Sequence, residues 1–212
     1  MRHRSALVLP ALALAGGGVL ATGFPARTGL TRSQAAVSLP GDLVLPGATV
    51  IADRATLISA PAERIWPWLT QLGQDRGGFY SFTALENAAG CGITDVRELR
   101  PEWSRREVGD RVALAPGLAL RVAVSSESDA LVLTSEGGEK PSGSAGSSAM
   151  DVDLTWTFAL LPETRGHTRL HVRERYVPHT RAADASCRAT LVASAIMTRR
   201  MLHTVKALAE AH

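Results

Sequence analysis

WPWLTQLGQDRGGFYS, residues 66–81, is the stretch that decides the fold of this 212-residue chain. It holds two of the four tryptophans, one of the two tyrosines and three glycines. An amphipathic helix leads into it, because apolar residues recur at i, i+3, i+4 and i+7 as Ile65, Trp68, Leu69 and Leu72. Pro67 predicts a kink or short break in that helix, and Gly73 is expected to end it. Aromatic side chains beside a glycine-rich turn indicate a wall that packs on one side and lines a pocket on the other.

The glycines at positions 73, 77 and 78 raise the question of a phosphate-binding loop. GxGxxG spacing is absent, no Lys-Ser or Lys-Thr pair follows, and the loop comes after a helix rather than a strand. We therefore interpret these glycines as turn residues between two helices. The second helix is expected to begin near Ser81 or Thr83 and to end at Gly90; Thr83 has capping-box spacing to Glu86.

The rest of the chain predicts a mostly antiparallel sheet. Thr49–Ser59 is rich in β-branched residues and is typical of a strand. Later strands are predicted at residues 110–115, 118–126, 130–135, 151–160 and 168–176. Short turns separate most of them, which favours sequential hairpins. Residues 137–150 are rich in Gly and Ser and are interpreted as a loop or insertion.

The last predicted strand has two different faces. The face that we expect to point inward carries Thr168, Leu170, Val172, Glu174 and Tyr176. The opposite face carries His167, Arg169, His171, Arg173 and Arg175, and we expect it to be solvated. Glu174 lies among apolar neighbours, and a buried carboxylate needs a partner or a shifted pKa. It is either a paired structural acid or a contact to a ligand.

One long helix is predicted from about Ala182 to the C-terminus, with a wide apolar arc. Met197 and Met201, one turn apart, either fill the core or line a cavity. The order of strand, two short helices, antiparallel strands and long helix predicts an α+β fold. A sheet with one polar face must cover the other face, and this helix is long enough to do so. We expect a mostly apolar cavity with a few polar groups between sheet and helix.

The N-terminal residues 1–26 are expected to lie outside this fold. Arg2 and Arg4 precede a run without charge from Ser5 to Ala26, which fits either a cleaved signal peptide or a transmembrane anchor. Residues 27–47 are interpreted as a connector and 48–212 as the domain. We expect a membrane-anchored or secreted protein, with the domain outside the cytoplasm.

Composition argues against several classes of function. The net charge of +3 and the pI of about 9.3 are mildly basic, but the arginines alternate with acids, as in residues 97–102, so no nucleic acid partner is expected. No HExxH or paired histidine spacing and no GxSxG elbow are present, so neither a metal site nor a cofactor is predicted. Cys91 and Cys187 are either two separate apolar residues or, in an exported domain, a disulfide.

Several segments follow the pattern of a known superfamily. They are SAPAERIWPWL at 59–69, GQDRGGFYS at 73–81, LEN at 85–87, PEW at 101–103, VGDRV at 108–112 and ML at 201–202. Together they resemble the START/Bet v 1-like (SRPBCC) superfamily, and more narrowly its bacterial polyketide cyclase/dehydrase and lipid-transport-like branch. The resemblance extends over residues 39–211. It implies a helix-grip fold, in which a curved antiparallel sheet wraps around the C-terminal helix and encloses a hydrophobic cavity. It does not imply an activity, because this fold hosts both binders and enzymes.

Three functions are compatible with this reading. The first is binding or carriage of a hydrophobic small molecule, such as a lipid or a polyketide-like compound. The second is a cyclase/dehydratase-type enzyme acting on a bound carbonyl compound, with Glu174, Tyr80, Tyr176 and Glu86 as candidate proton donors and acceptors. The third is a structural or partner-binding domain without a ligand. The expected ligand contacts are Phe79, Tyr80, Trp103, Trp156, Glu174, Tyr176, Met197 and Met201; no catalytic residue is assigned.

Overall fold

The computed structural model describes residues 23–88, 90–139, 151–164 and 166–211. Within these residues, seven strands form one sheet of order β1-β2-β7-β6-β5-β4-β3. The strands are β1 (Arg27–Thr28), β2 (Val50–Ile58), β3 (Arg111–Ala115), β4 (Leu118–Ser126), β5 (Ala130–Glu139), β6 (Val152–Pro162) and β7 (Thr168–Pro178). β1 runs parallel to β2, whereas the other neighbouring strands pair antiparallel.

Helices lie on both sides of the sheet. They are α1 (Arg32–Ala35), α2 (Gly41–Val44), α3 (Ala62–Thr70), α4 (Thr83–Ala88) and α5 (Arg181–Ala211), with a 3-10 turn at Pro101–Trp103. α5 is 31 residues long and packs against β2, β7 and α3. The predicted α+β helix-grip architecture is therefore confirmed, including the two short helices after β2. α3 continues past Pro67 and ends at Thr70, before the glycine that was expected to end it.

The core lies between the sheet and the helices α3 and α5. Its fully buried side chains include Ile58, Trp68, Phe158, Leu170 and Val205. Burial of each large apolar side chain stabilises the fold by about 1.5–3 kcal/mol. The α3 helix contributes to this core because its apolar residues fall on one face, as the sequence period predicts.

The opposite face of the sheet is covered by the segment 27–47, so the expectation that the basic face of β7 is solvated is wrong. His171 and Arg173 are 0% and 4% exposed. Arg173 donates to Asp53 Oδ1 and to Asp42 Oδ2, both at 2.7 Å, and His171 Nε2 lies 2.7 Å from Asp53 Oδ1. Arg175 adds a 3.1 Å ion pair with Asp42. Alternate residues of β7 thus meet carboxylates of β2 and α2 rather than water.

Gly41 allows α2 to approach the sheet this closely. A Cβ atom at this position would overlap the Thr157 Oγ1 atom on β6. α2 begins at Gly41, within the segment interpreted as a connector, and forms a single short turn of helix. Glycine is used here for close approach of backbone to sheet.

Two sequence predictions concern residues beyond these ranges. The N-terminal segment 1–26 lies outside the described residues up to position 22, and the Gly/Ser-rich segment lies outside them at 140–150. Within the ranges that the structure describes, no helix combines the length and the apolar character needed to cross a membrane.

Candidate ligand-binding cavity

A cavity of about 350 Å³ lies between the sheet and α5. This volume falls within the range of about 300–1,000 Å³ that is usual for small-molecule pockets. Three parts of the chain form its wall: Thr190, Ala193, Ser194, Met197, Thr198 and Met201 from α5; Leu114, Leu120, Leu154, Thr155, Trp156, Glu174 and Tyr176 from the sheet; and Phe79, Ser81 and Glu86 from the segment before and within α4. Thr190 and Ala193 are exposed, whereas Ser81 and Glu86 are buried. The mouth of the cavity is therefore at α5.

Secondary-structure periodicity brings these residues together. Thr190, Ser194, Met197 and Met201 recur at the spacing of one helix face. Trp156 and Glu174 are directly paired across β6 and β7, so their side chains point to the same side of the sheet. Both methionines that the sequence left open between core and cavity lie in the cavity wall.

Six of the eight expected ligand contacts line the cavity: Phe79, Trp156, Glu174, Tyr176, Met197 and Met201. Tyr80 lies in the core instead, with its ring edge against Trp68 at 6.1 Å between centroids. Trp103 lies beneath the Arg100 guanidinium, 4.9 Å from its ring centroid, outside the cavity wall. That the six lining residues contact a ligand stays a prediction.

The backbone explains why Phe79 and Tyr80 separate. Tyr80 has a φ of +55°, in the left-handed region that non-glycine residues seldom adopt. Its hydroxyl accepts a hydrogen bond from Gln71 Nε2 at 3.3 Å, and burial is the main reason that its pKa rises to about 12. Tyr80 therefore stays protonated and faces the core, while Phe79 faces the cavity and packs against Trp156, with 6.1 Å between ring centroids.

Glu174 belongs to a closed polar cluster in the cavity wall. Its Oε1 atom lies 2.8 Å from Nη1 of Arg54, which is fully buried. Ser194 Oγ donates to the carboxylate at 2.6 and 2.7 Å, Thr198 Oγ1 at 3.2 Å and the Tyr176 hydroxyl at 2.9 Å. We call these five residues the Glu174 cluster. Its geometry matches the interpretation of Glu174 as a paired structural acid, because the carboxylate already has one ion pair and three hydroxyl donors.

The Tyr176 hydroxyl is tied to this cluster. Burial, followed by the nearby negative charge of Glu174, raises the pKa of Tyr176 well above its ordinary value. Tyr176 therefore remains a donor to Glu174 at any physiological pH. The two candidate acid–base groups of β7 are hydrogen-bonded to each other.

Four other residues of the cavity wall carry polar side-chain atoms that have no hydrogen-bond partner among the described residues. They are Glu86 at both carboxylate oxygens, Ser81 and Thr155 at their hydroxyls, and Trp156 at its indole N–H. Thr155 pairs with Arg175 across β6 and β7, so its side chain lies on the face of the sheet opposite to Trp156. Glu86 is only 4% exposed. Burial is the largest cause that raises its pKa, and the negative charge of Asp95 adds to this, while the nearby Ser81 hydroxyl opposes it in part.

Sequence reasoning missed part of this site. Ser194 and Thr198 share the helix spacing of Met197 and Met201, so the α5 period was a usable signal for them. Glu86 was interpreted as a capping-box residue and as one of four acid–base candidates, and nothing in the sequence marked it as buried. Ser81 had no signal beyond its place next to the aromatic pair.

Within the described ranges, no group of three or more His, Cys, Asp or Glu side chains is arranged to hold a metal ion. Cys91 and Cys187 are both free thiols.

No family model and no curated protein matches this chain. Solved structures similar to it include a hypothetical protein from Helicobacter pylori, with a TM-score of 0.47 and 10% identity over 85% of this chain and 97% of that one. Norcoclaurine synthase from Thalictrum flavum, in complex with dopamine and hydroxybenzaldehyde, has a TM-score of 0.45 and 12% identity over 76% and 87%. A protein from Mesorhizobium loti has a TM-score of 0.41 and 18% identity over 74% and 95%.

These likenesses concern the fold and nothing finer. The helix-grip fold that the resemblance to the START/Bet v 1-like superfamily implied is present in this chain, as its sheet order and its long C-terminal helix show.

Proposed function

We propose that this domain binds and carries a hydrophobic small molecule, such as a lipid or a polyketide-like compound, in the cavity between the sheet and α5. The observation that carries the proposal is the cavity itself. Protein interiors are close-packed and hold few voids larger than a water molecule, yet this one keeps about 350 Å³ open, lined mainly by apolar side chains such as Leu120, Leu154 and Met197. A structural domain without a ligand would gain stability by filling that space.

The hydrogen bonds of Glu174 in the cavity wall favour carriage of a ligand over catalysis by this residue. Glu174 is paired with Arg54 and accepts from three hydroxyl groups. A general base must have a free lone pair within reach of the proton that it removes. The cyclase/dehydratase hypothesis therefore depends on Glu86, whose raised pKa and missing partner suit an acid or base. It predicts turnover of a bound carbonyl compound that Glu86→Gln abolishes and Glu174→Gln does not.

We also propose that the domain works at a membrane or after export. The basic start of the chain and the uncharged run 5–26 support this. β1 begins at Arg27, directly after that run, and pairs with β2 at the edge of the sheet. A tether that ended at residue 26 would therefore hold the domain close to the bilayer. Expression of the full chain with a C-terminal reporter, followed by fractionation, tests this; a reporter confined to the cytosol and an uncleaved, unbound chain would refute it.

The binding proposal is tested by native mass spectrometry and organic extraction of the purified chain. We expect a co-purifying apolar compound at up to one molecule per chain. Ala193→Trp should prevent this, because Ala193 lines the mouth of the cavity and is itself exposed. Ala189→Trp is the matched control, since Ala189 is an exposed α5 residue outside the cavity wall. Equal retention of compound by both variants would place the bound molecule elsewhere.

A further inference from the structure

We infer that Glu86 holds the polar end of the bound molecule, and that the cavity selects apolar compounds carrying a hydrogen-bond donor, either a hydroxyl or an amine. This inference rests on the proposed binding function and names the ligand class for the same cavity. Three observations carry it: the orientation of α4, the unpartnered polar atoms around Glu86, and the closed state of the Glu174 cluster.

The first observation is that α4 buries a charged side chain and exposes an apolar one. In this six-residue helix the buried residue is a carboxylate, Glu86, at 4% exposure. Leu85, next to it, is 61% exposed, and Phe82, just before the helix, is 40% exposed. A short surface helix normally turns its apolar residues inward and its charges outward. Local rules of this kind are broken mostly at functional sites, where another gain offsets the cost.

The second observation is that no cation and no well-formed hydrogen bond meets this buried charge among the described residues. Neither oxygen of Glu86 meets a donor in hydrogen-bond geometry, and the nearby Ser81 hydroxyl lowers its pKa only in part. The negative charge of Asp95 raises the pKa of Glu86 and makes the carboxylate costlier to ionise. A buried charge of this kind is tolerated when a donor or a cation meets it. A hydroxyl or ammonium group on the ligand supplies that partner.

The third observation is that the cavity's other polar cluster offers a ligand little. The Glu174 carboxylate is already occupied by Arg54 and by side-chain hydroxyls. By contrast, the Ser81 hydroxyl and the Trp156 indole N–H are unpartnered like Glu86 and lie in the same wall. A ligand hydroxyl can donate to Glu86 and accept from one of these two groups. The hydrogen-bonding groups that remain free in the cavity wall thus belong to residues other than Glu174.

The experiment uses three probes with one ring system: 1-naphthol, 1-(aminomethyl)naphthalene and 1-methoxynaphthalene, titrated calorimetrically into the full chain at pH 8. The ether keeps the apolar body and loses the donor. We expect 1-naphthol, the amine or both to bind at least about tenfold more tightly than the ether, as for a hydrogen bond to a charged group. A comparison of the affinities for 1-naphthol and for the amine then shows whether Glu86 prefers a neutral or a cationic donor on the ligand.

Variants locate the effect. Glu86→Leu should reduce the affinity for the preferred donor probe to that for the ether, and leave the affinity for the ether within about threefold of the original. Glu86→Gln keeps a neutral acceptor and should retain part of the preference for 1-naphthol while losing any preference for the amine. Glu63→Gln removes an exposed carboxylate of α3 and should change none of the affinities.

The outcomes separate the two proposals. If all three probes bind with similar affinity, or if Glu86→Leu leaves the preference for a donor intact, the inference about Glu86 is overturned while binding in the cavity stands. If no probe binds the unmodified chain and no compound co-purifies with it, the proposed binding function fails, and the inference fails with it.

Discussion

Replacing Glu86 by glutamine should stabilise the unliganded domain while weakening its binding of donor ligands. Glutamine keeps the shape of the side chain and removes its charge. In the structure the carboxylate is 4% exposed and neither oxygen has a partner. The glutamine amide stays buried and unsatisfied, so the substitution removes only the cost of burying the charge. We therefore expect the free energy of unfolding of Glu86→Gln at pH 8 to exceed that of the unmodified chain by about 1.4 kcal/mol for each unit by which burial raises the pKa of Glu86.

The pH dependence of this gain follows from the raised pKa of Glu86. The ordinary value is 4.5, and burial moves the pKa in the folded state upward from it. The folded chain thus binds the Glu86 proton more tightly than the unfolded chain does. This contribution to stability is fully present below pH 4.5 and is lost as the pH rises through the folded-state pKa. The advantage of Glu86→Gln should consequently be near zero at pH 4 and larger at pH 8.

Urea unfolding followed by tryptophan fluorescence measures the free energy of unfolding of each variant at pH 4 and at pH 8. The comparison requires that the slope of free energy against urea concentration is the same for all variants. Glu63→Gln serves as the control for loss of an exposed carboxylate and should show no such gain at pH 8. A Glu86→Gln chain that is less stable than the original at pH 8 would mean that the carboxylate has a stabilising partner. An equal difference at pH 4 and pH 8 would mean that its charge is not the cause.

Three further perturbations test other parts of the fold. Arg54→Met leaves the Glu174 carboxylate buried without its cation and should lower the free energy of unfolding in urea by about 3–5 kcal/mol. The double variant Arg54→Met with Glu174→Met should recover part of this loss. If the losses of the two single variants simply add in the double variant, the pair does not interact. Gly41→Ala should cost about 1–3 kcal/mol because its Cβ atom meets Thr157 Oγ1, and Thr157→Ala should relieve part of that loss; no loss would mean that α2 shifts freely. Asp42→Asn weakens the ion pairs that hold segment 27–47 on β7. Amide hydrogen exchange in α1 and α2 should therefore accelerate while the amides of β6 stay protected. Unchanged exchange would show that these ion pairs do not hold the segment.

Most of the fold follows from local periodicity. Alternation of apolar and polar residues predicted β4, β6 and β7 nearly to their ends, and the first strand, expected at Thr49–Ser59, is Val50–Ile58. The two short helices and the long C-terminal helix also follow from spacing and turn residues. These elements are predictable because each depends on neighbours within a few positions along the chain.

The covered basic face of β7 shows where that reasoning stops. A period of two tells which residues share a face but not which face meets water. Arg173 is buried because Asp42, 131 positions earlier, supplies its charge partner. Arg54 and Glu174 meet in the same way, from strands that are adjacent in space and distant in sequence. Only the strand order reveals these pairs.

The residues of the cavity wall likewise include some that local sequence patterns predict and some that they do not. The α5 residues and the β6–β7 pair were accessible to pattern reasoning, but the position of Glu86 was not, because α4 is only six residues long and too short for a period to fix its face. The left-handed φ of Tyr80, an uncommon conformation for a bulky residue, turns Tyr80 into the core. Strain of this kind persists where the surrounding structure over-determines it, and it is concentrated at ligand sites. Tyr80 and Glu86 are six positions apart in one segment and face different surroundings, Tyr80 the core and Glu86 the cavity, so a period of residues could not have placed both.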